Sequence, residues 1–410
     1  MKGGRFSSVA AAERMAIVSA KEEFRDDTSD HKIDLIVGSY RTAEGKPWVM
    51  PFIQKIEQQI TADPNLDHEY QWFLGIEKFN KLAPRLILGE DSPALLEGRA
   101  FGSQTLSGNG ALRMATEFLV RHLNYKTVYM SNPTWDNHRL VFRYGGFTDL
   151  KYYRYWDPAT RGVDFTGMLE DLKKAPKNSV IVLHMCAHNP TGCDLTREQW
   201  TMVADVLEER NLFPFIDAAY QGFASGDLDK DAWPVRYLVD RGFELFIAQS
   251  FSKSMALYSE RVGCLTVVLG EGHAQDAINM SSQLVLIARA MYICPPKHGA
   301  LVVSTILSDP ALREEWKKCL KVMNDRIQDM RKALNERLVK LGTPGNWDHV
   351  LTQLGMFSFL GLTPRQVEYI KKKHHIHMLS NSRANMCGLN DKNVDRVAEA
   401  IYDTVVNVHG

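Results

Sequence analysis

Residues 180–193 run Val180-Ile181-Val182-Leu183-His184-Met185-Cys186-Ala187-His188-Asn189-Pro190-Thr191-Gly192-Cys193. Val180–Met185 is short and largely apolar with no alternation, which reads as a strand buried on both faces. The Asn-Pro-Thr-Gly that follows is a turn signal. A polar loop at the carboxyl end of a sheet strand is where open α/β folds bind ligands. Working outward, Thr127–Met130, Phe213–Ile216, Leu245–Ala248 and Cys264–Val268 are further apolar runs of strand length, and amphipathic stretches such as Gln199–Glu209 lie between them. This alternation predicts βαβ units, an α/β fold with helices covering a parallel sheet.

After Pro310 the pattern changes. Leu312, Trp316, Leu320, Met323, Ile327, Met330, Leu334, Leu338 and Leu341 recur every three or four residues, with Pro310 as a start and Gly342 and Pro344 as a stop. Such a helix would be about 45 Å long, enough to join two domains. Its stripe reads as core. Val350–Leu360 then reads as strand and Pro364–Lys373 as helix, so a smaller α+β domain follows the larger one. Lys371–His377, with three lysines and three histidines, reads as a solvated helix end leading into a strand.

The chain has 410 residues, 49 basic and 49 acidic, and is 45% hydrophobic, which excludes disorder and coiled-coil readings. Zero net charge gives no general attraction for nucleic acid or an acidic membrane. The most apolar segment, Leu284–Pro296, is short and carries Arg289, so no span across a bilayer is expected. Six scattered cysteines, and no apolar leader in Met1–Arg14, predict free thiols, a reducing cytoplasmic location and a short N-terminal arm.

Four segments carry candidate chemistry. Ser107-Gly108-Asn109-Gly110 opens a helix and offers free N–H groups to a phosphate, with no strand expected before it; alone, Ser107 is a helix cap. His184, Cys186 and His188 share one face if the strand continues, which permits a metal reading, but the turn carries Cys193 away. Asp217 closes an apolar strand, and alone it caps a loop. Lys253, among Ser250, Ser252 and Ser254, follows another such strand with Arg261 close behind; alone, it reaches outward from a loop. Together they put an amine, an acid, hydroxyls and an Arg at strand ends on one side of a sheet. That is the set pyridoxal phosphate needs, with no metal.

Val37-Gly38-Ser39-Tyr40-Arg41-Thr42, Asp91-Ser92-Pro93-Ala94-Leu95, Asn132-Pro133-Thr134-Trp135, His188-Asn189-Pro190-Thr191-Gly192, Ser250-Phe251-Ser252-Lys253 and Arg383-Ala384-Asn385 carry a closer likeness. In these motifs, in collinear order, the chain resembles the aspartate aminotransferase family, class I pyridoxal-phosphate enzymes of fold type I. The resemblance implies a large domain (47–310) with a mostly parallel seven-stranded sheet. It also implies a long interdomain helix (311–342), a small domain from residues 15–46 and 343–410, and an arm, 1–14. Lys253 resembles the lysine that anchors the cofactor and carries a proton at the substrate α-carbon. Asp217 resembles the partner of the pyridine nitrogen, with His138 behind it. Asn189 and Tyr220 resemble the groups on the cofactor oxygen O3′, and Trp135 the residue stacked on the ring. Ser107, Gly108, Asn109, Ser250, Ser252 and Arg261 resemble the phosphate shell, with Tyr70 supplied by a second subunit. Tyr70 and Tyr220 join Lys253 as implied catalytic residues. Arg383 and Gly38 resemble the α-carboxylate site, lined also by Trp135 and Asn189, and Arg289 the side-chain carboxylate clamp from the other subunit. A homodimer acting on amino acids and 2-oxo acids is therefore implied.

The chain departs from the family at two places. Asn109 stands where Thr is usual, and Ile293-Cys294-Pro295-Pro296 where Ser-Asn-Pro-Pro is usual. The second departure keeps a broad-specificity aromatic aminotransferase as the alternative. Other pyridoxal-phosphate chemistry fits the paired arginines poorly, and a scaffold without activity has no use for a buried amine beside a buried acid.

Overall fold

The computed structural model describes residues 4–409. Its centre is one seven-stranded sheet of β1 (Ala100–Leu106), β2 (Thr127–Asn132), β3 (Asp149–Arg154), β4 (Val180–His184), β5 (Phe213–Ala218), β6 (Leu245–Ser250) and β7 (Val262–Val268). The spatial order is β1-β7-β6-β5-β4-β2-β3. All neighbours pair in parallel except β7, which runs antiparallel to both β1 and β6. β4, β6 and β7 are buried along their whole length, as unbroken apolar runs require. Helices such as Ser107–Leu123, Arg197–Glu209 and Leu228–Asp240 accompany the sheet, and the Thr196–Gln199 capping box starts the second of these.

The long helix spans Pro310–Lys340, with Asp309 accepting the N–H groups of Ala311 and Leu312 at its start. Trp316, Leu320, Met323, Ile327, Met330, Leu334 and Leu338 are buried along it, so the stripe is core. Beyond it, Phe357–Phe359 pairs antiparallel with Arg383–Asn385, and Ile376–His377 pairs in parallel with Ile33–Asp34. An early segment of the chain thus pairs with a late one. The basic helix end is Pro364–His374, where Lys371 pairs with Glu23 and Glu368, His374 with Asp403, and His375 and His377 with Asp27.

Two expectations are corrected. A strand, β1, does run straight into Ser107; it escapes notice because Gly102, Ser103, Gln104 and Thr105 are small or polar. Gln104 is nevertheless satisfied, its amide donating to the Pro296 carbonyl and its oxygen accepting from the Ile76 N–H. Secondly, Val350–Leu360 is not one strand. His349–Thr352 is a helical turn, Gly355 takes φ +75°, and only Phe357–Phe359 is extended. The carbonyls of Val350, Gly355 and Phe357 all turn toward Arg331 of the long helix instead of pairing in a ladder.

Candidate active site

The parallel strands all end on one side of the sheet, and β7 begins on that side because it runs the opposite way. Asp217 at the end of β5, Lys253 after β6, Ser107 after β1, Asn189 after β4 and Arg261 before β7 therefore converge. With Gly108, Asn109, Leu112, Trp135, Ala219, Tyr220 and Ser250 they line one cavity.

At one end the Ser107 hydroxyl lies 2.8 Å from the Ser250 Oγ and 3.0 Å from the Ser252 Oγ, and an Arg261 Nη1 donates to Ser252 at 3.4 Å. Ser107 takes a left-handed φ of 63°, which turns the chain from β1 into the Ser107–Leu123 helix. Three hydroxyls, a guanidinium and the start of a seventeen-residue helix make an anion cradle. Two glycines let it close. A Cβ on Gly108 would sit 3.2 Å from Ser250 Cβ, and one on Gly263 would sit 2.4 Å from the Ser107 carbonyl carbon. Asn109 accepts a hydrogen bond from the Asn137 amide.

At the other end Asp217 is buried, with its Oδ2 3.0 Å from His138 Nε2; His138 Nδ1 in turn lies 2.9 Å from the Thr134 hydroxyl. Burial works to raise the Asp217 pKa, but the hydrogen bond with His138 and the nearby Lys253 charge help to outweigh it, so the carboxyl sits below its ordinary value. It is held as an anion. Lys253 Nζ is 5.4 Å from the centre of the Tyr220 ring. Burial pulls that amine down to about 8; Asp217 opposes the fall, and Arg261 and Arg383 add to it. Burial pushes the Tyr220 phenol up.

Beside this pair Arg383 is buried in the Arg383–Asn385 strand. Its Nη1 donates to Asn189 Oδ1 at 3.2 Å and its Nη2 to the Ile36 carbonyl at 2.9 Å, while its Nε is buried with no partner. An unmet donor on a buried guanidinium fits a carboxylate. The Asn189 amide also donates to the Tyr220 hydroxyl at 3.4 Å. Gly38 packs so tightly on Phe357 that a Cβ there would lie 2.7 Å from the ring. Trp135 stands edge-on to His138, their rings 5.3 Å apart.

Two expected residues stand apart. Tyr70 is 81% exposed, and Arg289 is exposed on the Asp276–Met291 helix with its guanidinium over the Phe73 ring at 4.8 Å. Neither lines the cavity. The metal reading fails on geometry. β4 stops at His184 and Ala187 turns the chain at φ +49°, so the Cys186 thiol points at the Tyr220 carbonyl while the His184 and His188 rings lie 4.3 Å apart at a tilt of 59°. Among the described residues His138, His184 and Asp217 do lie within 4.8 Å of one another, with His138 already bonded to Asp217. Their burial belongs to the Asp217 surroundings.

Some supporting residues had no sequence signal. Asp194 accepts the N–H groups of Ala187 and His188 and fixes the turn carrying Asn189. The Tyr258 hydroxyl accepts the Tyr40 N–H. Asn385, within a quoted motif, donates to the carbonyls on both sides of Gly38.

A profile of the family described as aminotransferase class I and II matches residues 30–401. The chain belongs to that family. It is 49% identical to the cytoplasmic aspartate aminotransferase of Gallus gallus over the whole of both chains. The solved aspartate aminotransferase from Saccharomyces cerevisiae cytoplasm superposes with a TM-score of 0.96 at 41% identity, covering 99% of each chain. An aromatic-amino-acid aminotransferase from Burkholderia pseudomallei, solved covalently bound to pyridoxal phosphate, superposes at 0.94 with 37% identity over 98% of this chain and all of its own. This aminotransferase thus carries the family's fold, and pyridoxal phosphate is its cofactor. The residues described fit that group. The cradle suits its phosphate, anionic Asp217 suits a protonated pyridine nitrogen, and the depressed amine of Lys253 suits its aldehyde.

Proposed function

We propose that the protein is an aspartate aminotransferase, exchanging an amino group reversibly between L-aspartate and 2-oxoglutarate to give oxaloacetate and L-glutamate. The observation that carries the geometry is one cavity lined by a depressed amine and an anionic buried acid, with a buried guanidinium carrying a free Nε bonded to Asn189 in its wall. The full-length identity to an aspartate enzyme supports the substrate over the aromatic alternative. When bound, the cofactor supplies an aldehyde carbon that takes up the amino group and a ring that accepts electrons from the broken Cα–H bond.

The residues do the rest. Ser107, Gly108, Asn109, Ser250, Ser252 and Arg261 hold the phosphate. Asp217, oriented by His138, keeps a proton on the pyridine nitrogen, and Asn189 and Tyr220 hold the oxygen beside the aldehyde. Trp135 covers the ring. Arg383, beside Gly38, binds the α-carboxylate and so fixes the Cα–H bond for proton transfer. Lys253 Nζ takes the proton from Cα; burial lowers its pKa and so favours the neutral amine that can accept it.

The protein works as a homodimer with shared sites. Tyr70 and Arg289 are conspicuously exposed in one chain, and the partner subunit's Tyr70 and the partner subunit's Arg289 complete the phosphate site and the side-chain carboxylate site. The pairing of Ile33–Asp34 with Ile376–His377, and of Asp27 with His375 and His377, supports a small domain made of residues 15–46 and 343–410 beside a large one at 47–310. The name of the chicken relative supports a cytoplasmic location, and among the described residues no helix is long and apolar enough to cross a membrane.

Subunit exchange tests the function and the sharing together. Lys253→Ala should be inactive and Arg289→Ala should lose most of its activity on aspartate; in a mixed dimer one site collects both lesions and the other none. Random exchange should restore about a quarter of all sites. Exchange verified by native mass spectrometry without any return of aspartate activity would overturn the shared site.

A further inference from the structure

The long helix buries a cation that no acid accompanies among the described residues. Arg331 is fully buried, and its guanidinium donates to three carbonyls: Nη1 to Val350 at 3.0 Å, Nη2 to Gly355 at 2.9 Å and to Phe357 at 2.5 Å. Burying an unpaired charge is unfavourable, so a position that needed only packing would take an apolar side chain. The planar fork of Arg, unlike the point charge of Lys, can gather several carbonyls in a fixed arrangement. What it gathers is the irregular segment 350–357, which has few ladder hydrogen bonds of its own and ends at Phe357.

Phe357 is the link to the active site. Its ring lies under the Arg383 guanidinium at 4.1 Å, is edge-on to Tyr220 at 6.3 Å, and packs so close to Gly38 that a Cβ there would lie 2.7 Å from it. Arg383 itself pairs across the strand with Phe359, two residues on. The guanidinium is therefore set by two hydrogen bonds at its edge and by an aromatic face beneath it.

We propose that Arg331 is a positioning residue for carboxylate binding: it fixes the Phe357 backbone, and the Phe357 ring sets the height and tilt at which Arg383 presents its free Nε. This rests on the assignment of Arg383 to the substrate α-carboxylate. Because every substrate carries that group, the effect falls on all substrates alike and on binding more than on turnover.

The test uses the cofactor-loaded enzyme and the variants Phe357→Leu, Arg331→Met, Arg331→Lys, their pairwise combinations with Phe357→Leu, and Arg383→Leu as a control. The dissociation constants of succinate and 3-phenylpropionate, carboxylates with no amine to react, are read from the cofactor absorbance, and thermal midpoints are recorded beside them. Phe357→Leu should weaken both ligands by about tenfold, because the guanidinium is no longer held where the carboxylate meets it. It should raise KM for aspartate and phenylalanine by the same factor, with kcat changed far less. Arg331→Met should weaken both ligands as well as lower the midpoint. In the double variant the binding losses should not multiply, since the two residues act through one element. If Arg331→Met does not fold, Arg331→Lys takes its place in the cycle. The proposal is overturned if either variant at 331 shifts only the midpoint, if the binding losses multiply, or if Phe357→Leu binds both carboxylates normally. Were Arg383→Leu to bind them normally too, the assignment of Arg383 would fall, a separate and earlier failure.

Discussion

Gly263→Ala adds a single methyl group and should disable the phosphate cradle. Gly263 lies in β7 opposite Ser250 of β6 and Thr105 of β1, directly beneath the turn at Ser107. Its φ is not left-handed, so alanine meets no conformational penalty and the effect is steric alone. The new Cβ would sit 2.4 Å from the Ser107 carbonyl carbon, 2.5 Å from the Gln249 carbonyl oxygen and 2.7 Å from Ser107 Cα. All three are backbone atoms, and the first is about 1 Å inside ordinary contact. Either Ser107 or the end of β6 must move by that amount, and each carries cradle hydroxyls. Overpacking of this kind costs about 1–3 kcal/mol of stability. Losing one charge-assisted hydrogen bond to the phosphate costs about 1.5–3 kcal/mol, or roughly 10–150-fold in cofactor affinity. The assay is a fluorescence titration of the apoprotein with pyridoxal phosphate, beside its melting curve. An unchanged affinity in the alanine variant would show that Ser107 and Ser250 do not hold the phosphate.

The remaining predictions follow from the charges. Reaction of the apoprotein with pyridoxal phosphate needs the neutral Lys253 amine, so its rate should climb from pH 6 and level off above about 8; a rise continuing toward 10 would contradict the depressed amine. Arg289→Leu should cut aspartate kcat/KM by a hundredfold or so, a few kcal/mol, and spare phenylalanine, whereas Arg383→Leu should damage both, which steady-state kinetics on the two substrates will separate. His184 is held down to about 3 by burial, opposed by Asp217, and both its ring nitrogens are buried without partners. Unfolded, it takes a proton below about 6.5, whereas folded it does not until about 3, so the unfolded state binds more protons and stability should fall as pH drops through that window. The slope of the apoprotein's thermal midpoint against pH should be shallower in His184→Gln.

Much of this was legible in the sequence because burial leaves a plain pattern. β4 and β6 are buried on both faces, so they appear as apolar runs whose ends mark the site. The long helix shows its seam in residues 312–338 for the same reason. What stayed hidden is polar burial. β1 reads as a loop because its Gln104 is buried and bonded, not exposed. The helical turn at His349–Thr352 reads as strand because its fate depends on Arg331, a residue some twenty positions upstream in the chain, capturing its carbonyl. Of the cavity residues, Lys253 and Asp217 stand out because a charged side chain closing an apolar run is conspicuous, Asn189 because it begins a turn signal after one, and Ser107 because it opens a helix. Asp194 and Tyr258 act through backbone N–H groups from loops, and no local pattern marks them. Tyr70 rests on the resemblance alone, and Arg289 on the resemblance together with its place in an apolar segment; in the folded chain both lie outside the cavity, on exposed surface.

The most direct measurement of the central claim is a half-reaction. Purified enzyme loaded with pyridoxal phosphate is mixed with L-aspartate and no 2-oxo acid, and the oxaloacetate released is counted against the chains present. An aminotransferase should give a single burst matching the number of active sites and then stop, because the amino group stays on the enzyme. Adding 2-oxoglutarate should then release glutamate in the same amount and restore the original absorbance. Continuous breakdown of aspartate without an acceptor, or no burst at all, would contradict the account.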